Sequence, residues 1–198
     1  MPKIVDHDER RRHIAEAATA VIMRCGFAGL TMREVAAEAG YAHGAIARYF
    51  PNKQSLLTAA FLQLTVAAND RIAAGIEDLR GLAALHRMCS EILPYGSVGT
   101  ASTRVLLAFW DHASEDPGIR EINRKNTLRW RGLMHRFLAE AREDGELDPE
   151  LDVDAAVDRV SVHNAGWQVT AALTPDIAAS ERIDASLRAL LDGFRRRG

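Results

Sequence analysis

The sequence predicts an all-α fold, on three observations. Apolar residues recur at spacings of three and four along nearly the whole chain. No Val/Ile-rich alternating stretch argues for a strand, and Gly, Pro and Asp/Asn/Thr signals interrupt the pattern at helix-sized intervals. At 198 residues, 47% apolar and 26% charged, the chain can bury a sizeable core, as one large domain or a small one joined to a larger.

In the first helix Ile14, Ala17, Ala18, Val21, Ile22 and Cys25 share a face, with Asp6 and Asp8 as candidate caps and Gly26 as the stop. Thr31-Met-Arg-Glu34 has the form of a capping box and opens a second helix, 32–39, ended by Gly40. Ala42 or His43 opens a short third helix, closed by Pro51. Asn52 caps a fourth helix from Lys53, with Leu56, Leu57, Ala60, Phe61 and Leu64 on one face. Helices then follow at about 53–77, 81–94, 102–114, 117–144, 152–173 and 183–196. Their joints are Gly81, Pro94-Tyr-Gly, Asp116-Pro-Gly, the 144–149 loop and Thr174-Pro-Asp.

Net charge is −2, yet residues 1–60 hold eight Lys/Arg against six Asp/Glu, leaving 17 against 21 in the rest. A mildly basic head on an acidic body suits a nucleic-acid-facing N-terminus. Cys25 and Cys89 form no CxxC pair or disulfide framework. With neither a signal-peptide core nor an 18-residue apolar run, a cytoplasmic protein without a membrane partner is expected.

The stretch YAHGAIARYF, residues 41–50, is trimmed to small side chains around His43, Arg48 and Tyr49. Residues 31–50 read as helix, Gly-containing turn, helix, in which the second helix enters the major groove and the first crosses the backbone. Gly44 and Ala45 let the backbone approach DNA, while Ile46 and Phe50 face back onto the first helix of the pair. His43 and Arg48 point outward, and Arg48 suits a guanine edge. Thr31, Arg33, Tyr49 and Lys53 complete the candidate DNA-contacting set, with Thr31, Tyr49 and Lys53 on phosphate. Paired amphipathic helices also occur in proteins that never meet DNA. The pattern alone therefore leaves a helical protein–protein interaction module open.

The run GFAGLTMREVAAEAGYAHGAIARYFPNKQSLL resembles the N-terminal domain of TetR-family transcriptional regulators. Gly26, Thr31, Ala36, Ala39-Gly40, Gly44, Tyr49-Phe50, Lys53 and Leu56-Leu57 match that family's order without gaps. The resemblance implies phosphate contacts at Thr31, Tyr49 and Lys53 and base reading by residues 42–49. It also implies a helix-turn-helix domain at 1–52 and a helical ligand-binding and dimerisation domain at 53–198. The chain departs from the family at Ala42, where Ser or Thr commonly caps the recognition helix, and at Ala47, where Tyr often touches phosphate.

Residues 104–134, with Ala-Phe-Trp, a Pro and a long basic helix, resemble the BetI-like branch, whose named member senses choline. That implies a dimeric, ligand-responsive regulator, most often a repressor, on a palindromic operator. The dimer is expected through helices 152–173 and 183–196. Their apolar stripes are Val153, Val157, Val160, Asn164, Trp167 and Ala171, and Ile183, Leu187, Leu190, Leu191 and Phe194. Trp110, Trp130 and Trp167, whose faces suit a quaternary ammonium, and the polar His163 and Asn164 are the candidate effector contacts.

Enzyme chemistry finds no support in the sequence. G-x-S-x-G, a glycine-rich phosphate loop and H-E-x-x-H are all lacking, and no cofactor is called for. His86 and Cys89 stand at i, i+3 without a third metal ligand, and Asp111, His112 and Glu140 are charges of ordinary density.

Overall fold

The computed structural model describes residues 7–196; the candidate cap Asp6 lies outside them. Among the described residues nine α-helices follow one another: α1 His7–Gly29, α2 Met32–Ala39, α3 His43–Ile46, α4 Lys53–Gly75, α5 Gly81–Ile92, α6 Gly96–Glu115, α7 Pro117–Glu143, α8 Val153–Leu173 and α9 Ser180–Asp192. A 3-10 turn at Pro175–Ile177 joins α8 to α9, and an isolated antiparallel bridge, Leu147 to Arg195, ties the tail to the α7–α8 loop. Among the described residues no helix is long and apolar enough to cross a membrane.

Local signals account for most ends. Gly26, at φ 72° and ψ 173°, breaks α1 into a long rod and a last turn, a conformation closed to side chains with a Cβ. Gly40, at φ 70°, ends α2 in the left-handed region, its N–H reaching back to the Ala36 and Ala37 carbonyls. Thr31 Oγ1 accepts from the Glu34 N–H at 3.1 Å, but the expected return bond from the Glu34 carboxylate is not formed among the described residues. The reciprocal box forms instead at Asn52 and Ser55, at the start of α4. Asp116 caps α7 through the N–H groups of Gly118 and Ile119.

Three boundaries differ from expectation. The third helix is regular only over 43–46, and turns carry the chain through 49. No side chain caps it at Ala42, so little holds a longer helix there. α6 begins at Gly96 rather than at 102, with Tyr95 as its N-cap, so the Pro94-Tyr-Gly joint leads directly into the helix. α9 spans 180–192 rather than 183–196, since the tail after Asp192 turns back to the α7–α8 loop, where Asp148 N–H bonds the Phe194 carbonyl.

Two hydrophobic cores result. The N-terminal one joins Ile14, Val21, Ile22, Leu30, Val35, Ile46 and Phe50 to Leu56, Leu57 and Phe61 of α4 and to Val105, Phe109 and Ala113 of α6. The other lies among α5, α7, α8 and α9, around Leu85, Met88, Phe137, Leu138, Val157, Val160, Ile183 and Leu187. Burying each large apolar side chain contributes about 1.5–3 kcal/mol. α6 belongs to both neighbourhoods: it packs on α1 and α4 and also on α7 and α8. Phe109 of α6 stacks on Phe61 of α4 with ring centroids 3.6 Å apart. Arg104 of α6 donates to the Met23 and Arg24 carbonyls, just before the Gly26 break.

Candidate nucleic-acid interface

Ile46 and Phe50 are buried in the N-terminal core, as their spacing predicts, and this turns the opposite face of residues 43–48 to solvent. His43, Gly44 and Arg48 are exposed there, and Ala45 is half-buried. A Cβ built on Gly44 meets nothing within 4 Å, and its φ is not positive. Neither the packing nor the backbone of the described residues requires glycine at 44. Arg33, His43 and Arg48 make no hydrogen bond or ion pair among the described residues. Exposed guanidinium groups without internal partners, as at Arg33 and Arg48, are what phosphate and base edges need.

The remaining candidates carry internal contacts as well. Thr31 Oγ1 caps α2 and keeps its own hydroxyl proton to donate. Lys53 Nζ sits 4.1 Å from the centre of the Phe27 ring and 3.4 Å from the Ala28 carbonyl, so it rests against the turn after Gly26. Tyr49 is half-buried, its ring 5.6 Å from that of His7.

Sequence reasoning missed the side chains that hold this segment from behind. Arg11 Nη1 donates to the Tyr49 carbonyl at 2.7 Å, and its guanidinium lies 4.6 Å from the centre of the Phe50 ring. Arg10 lies over the Tyr41 ring at 5.9 Å, and His13 Nδ1 meets Tyr41 Oη at 3.4 Å. In the sequence Arg10 and Arg11 were visible only as part of a basic run; the contacts depend on how α1 crosses α3.

The candidate effector residues do not form one cage. Trp110 packs against the N-terminal core, while Trp130 and Trp167 pack against the other. Trp130 Nε1 donates to Asn69 Oδ1 of α4 at 2.8 Å. Trp167 Nε1 instead faces His163 Nε2 at 3.2 Å and Ser186 Oγ of α9 at 3.4 Å. Asn164 is buried and reaches Cys89 Sγ of α5 at 3.5 Å, and Gln168 donates to the Ile92 carbonyl. Partial burial lowers the His163 pKa, and burial pushes the Cys89 thiol up to about 12, which leaves it protonated and inert. A surface recess of the body lies elsewhere, along His135, Ala139, Arg142 and Asp154 between α7 and α8.

The stripes read as dimer-forming turn mostly inward. Val157, Val160, Asn164 and Ala171 of α8 and Ile183, Leu187 and Leu191 of α9 are buried within the chain, as is Phe194 beyond it. α8 exposes the opposite face: Val162 at 71% and Leu173 at 72%, with Val169 and Gly166 between them. On α9 the exposed face carries Ala185 and Ala189.

Residues 14–60 match the family model of bacterial regulatory proteins, tetR family, and residues 82–196 match that of the BetI-type transcriptional repressor, C-terminal. The chain belongs to the TetR family, with a BetI-type body. Curated relatives agree. The HTH-type transcriptional regulator PksA of Bacillus subtilis (strain 168) is 28% identical over 92% of this chain and 88% of its own length. BetI 2 of Chromohalobacter salexigens is 27% identical over 89% and 84%. In fold, the chain resembles a Saccharomonospora viridis structure solved in complex with choline, at TM-score 0.88 and 22% identity over 96% of this chain and 100% of that one. A Rhodococcus sp. Rha1 transcriptional regulator gives TM-score 0.81 and 23% identity over 93% and 95%. The chain is a DNA-binding transcriptional regulator, and its families and relatives are regulators rather than enzymes.

Proposed function

We propose that the protein is a cytoplasmic, effector-responsive repressor that binds a palindromic operator as a homodimer. The observation that carries the reading is the outward face of residues 43–48, where Gly44 meets no internal neighbour and Arg48 and His43 have no partner among the described residues. Arg48 reads a base edge, while Thr31, Arg33, Tyr49 and Lys53 hold backbone phosphates. For Lys53 this means leaving the Phe27 ring for the DNA. Residues 1–52 act as the DNA-binding domain and 53–198 as the effector and dimerisation domain, with α4 common to both.

The exposed Val162, Gly166, Val169 and Leu173 of α8 share one helical face and, beside Ala185 and Ala189, support pairing of α8 and α9 with their copies. Such a dimer reads half-sites about one DNA turn apart, roughly 34–36 Å, or a multiple of it. The effector enters the helical body and prefers the state that does not bind DNA, as a ligand must to shift the equilibrium. α6 transmits the change, because it grips α1 through Arg104 and α4 through Phe109. The choline complex of the structural relative makes choline the first effector to try, with Trp130 and Trp167 on the body core and Trp110 nearer the head as candidate aromatic contacts, and His163 and Asn164 as polar ones.

Selection from random duplexes by the purified protein tests the reading. A palindromic motif whose binding weakens steeply with salt is expected, since neutralised phosphates release counterions. Recovery of no motif, with binding no better than to heparin, overturns it in favour of an interaction module.

A further inference from the structure

α3 is four residues long, has no side-chain cap at Ala42, and passes into turns at 47–49. So short a helix does not hold its own geometry, because nucleating one turn costs more than its single hydrogen bond returns. Yet reading bases needs Arg48 held in one register. The chain supplies that from α1.

We propose that Arg11, with Arg10 and His13, is a specificity-determining positioning brace that holds the base-reading segment at both of its ends. The proposal rests on the assignment of residues 43–48 to the groove. At the far end, Arg11 Nη1 donates to the Tyr49 carbonyl at 2.7 Å, an acceptor at the end of the α3 turns. A cation there satisfies a terminal carbonyl and matches the negative end of the aligned peptide dipoles. The same guanidinium lies on the Phe50 ring at 4.6 Å, and Phe50 is buried, so the contact is anchored to the core. At the near end, Tyr41 precedes Ala42 and is held by His13 Nδ1 at 3.4 Å and by Arg10 over its ring.

Residues 10, 11 and 13, within about one turn of α1, thus grip both sides of the 42–48 segment. α1 is in turn fixed to α4 by Thr19 Oγ1, which bonds Gln63 Oε1 at 2.8 Å. The brace performs from outside the segment what a polar cap at 42 would perform from within. A planar guanidinium fits this task because one group can donate to a carbonyl while its face covers a ring, which an ammonium does less well. In this arrangement Arg11 acts through the segment and does not touch the bases.

The test uses the full-length protein, the palindrome recovered by selection, a scrambled duplex of equal length and a salt series. Arg11→Met keeps the apolar stem on Phe50 and removes the donor. Its affinity for the palindrome is expected to fall roughly tenfold, the size of one mismatched base pair, with little change on the scrambled duplex. The salt slope stays as in the parent, and Arg11→Lys recovers part of the lost discrimination. An equal loss on both duplexes with a slope shallower by about one makes Arg11 a phosphate ligand and overturns the proposal. Unchanged binding to both overturns it as well.

If Arg11→Met fails to fold, Tyr41→Phe carries the test by removing only the hydroxyl that meets His13. It is expected to narrow the palindrome-to-scrambled ratio about threefold, within the range of a single lost hydrogen bond, and an unchanged ratio overturns the brace. Arg48→Ala, measured in parallel, separates the two levels. Intact discrimination in that variant removes the base-reading assignment itself, whereas lost discrimination in Arg48→Ala with none lost in Arg11→Met removes only the brace.

Discussion

The two cores bury similar aliphatic and aromatic side chains, yet the candidate binding residues around them differ in their partners. Around the N-terminal core the side chains of Arg33 on α2 and of His43 and Arg48 on the 43–48 face are exposed and lack hydrogen-bond or ion-pair partners among the described residues. Around the other core the candidate effector residues and their neighbours turn inward: Asn164 on Cys89, Gln168 on the Ile92 carbonyl, and His163 with Trp167 and Ser186, while Tyr95 Oη is buried there without a hydrogen-bond partner among the described residues. A polar side chain with an internal partner is explained by the fold, whereas one without a partner asks for something outside it.

Truncating a ring at the junction tests how separate the cores are. Phe109→Ala removes a fully buried ring stacked on Phe61 and is expected to cost about 3–5 kcal/mol in urea unfolding. Phe137→Ala should cost a similar amount in the other core. If each variant shifts one common transition, α6 fuses the two cores into a single cooperative unit. A shift confined to one of two resolved transitions shows that they melt apart.

The outward polar groups are tested on DNA. Arg48→Ala is expected to lose about 1–3 kcal/mol on the palindrome and to relax preference at one base position, while Lys53→Ala weakens every duplex alike and lowers the salt slope by about one. Equal behaviour of the two variants, in a binding titration across salt, undoes the division of roles between them.

The inward groups are tested on stability alone. Gln168→Leu strips the Ile92 carbonyl of its donor and should cost about 1–2 kcal/mol in urea unfolding. DNA affinity measured beside it should stay at the parent value, and a large loss there contradicts the contrast between the two regions.

The smallest effect is one of pH. Partial burial favours the neutral His163 ring, whose Nε2 lies within accepting distance of the Trp167 Nε1–H. With its folded pKa below the unfolded value, His163 contributes stability that is present above the unfolded pKa and lost as pH falls through it towards the folded one. Urea midpoints should therefore decline on acidification below about pH 6.5, and less so in His163→Gln. Identical declines in parent and variant remove His163 as the source.

Local rules made the head legible from sequence. Gly26 and Gly40 had to break helices, Asn52 had to cap one, and the four-residue spacing of Ile46 and Phe50 fixed which face of the segment was buried. The candidate effector residues were less legible, because an apolar stripe says that a face is covered without saying by what. The stripes of α8 and α9 read equally well as a dimer interface and as core, and the structure spends most of them on α5 and α7, leaving Val162, Val169 and Leu173 as the open face. The three tryptophans were equivalent in sequence but fall on two different cores.

By itself, then, the sequence determined the helices, most of their ends and which face of residues 43–48 is exposed, because caps, breakers and a 3.6-residue period act within a few residues. Only the tertiary structure decided that Arg11 and His13 brace the recognition segment, that α6 joins both cores, and that Asn164 and His163 have partners. The contacts between elements join residues from 23 to 81 positions apart, as between His163 and Ser186, Arg11 and Tyr49 or Arg104 and Met23, and helix crossing angles, which no local pattern encodes, set which of them meet.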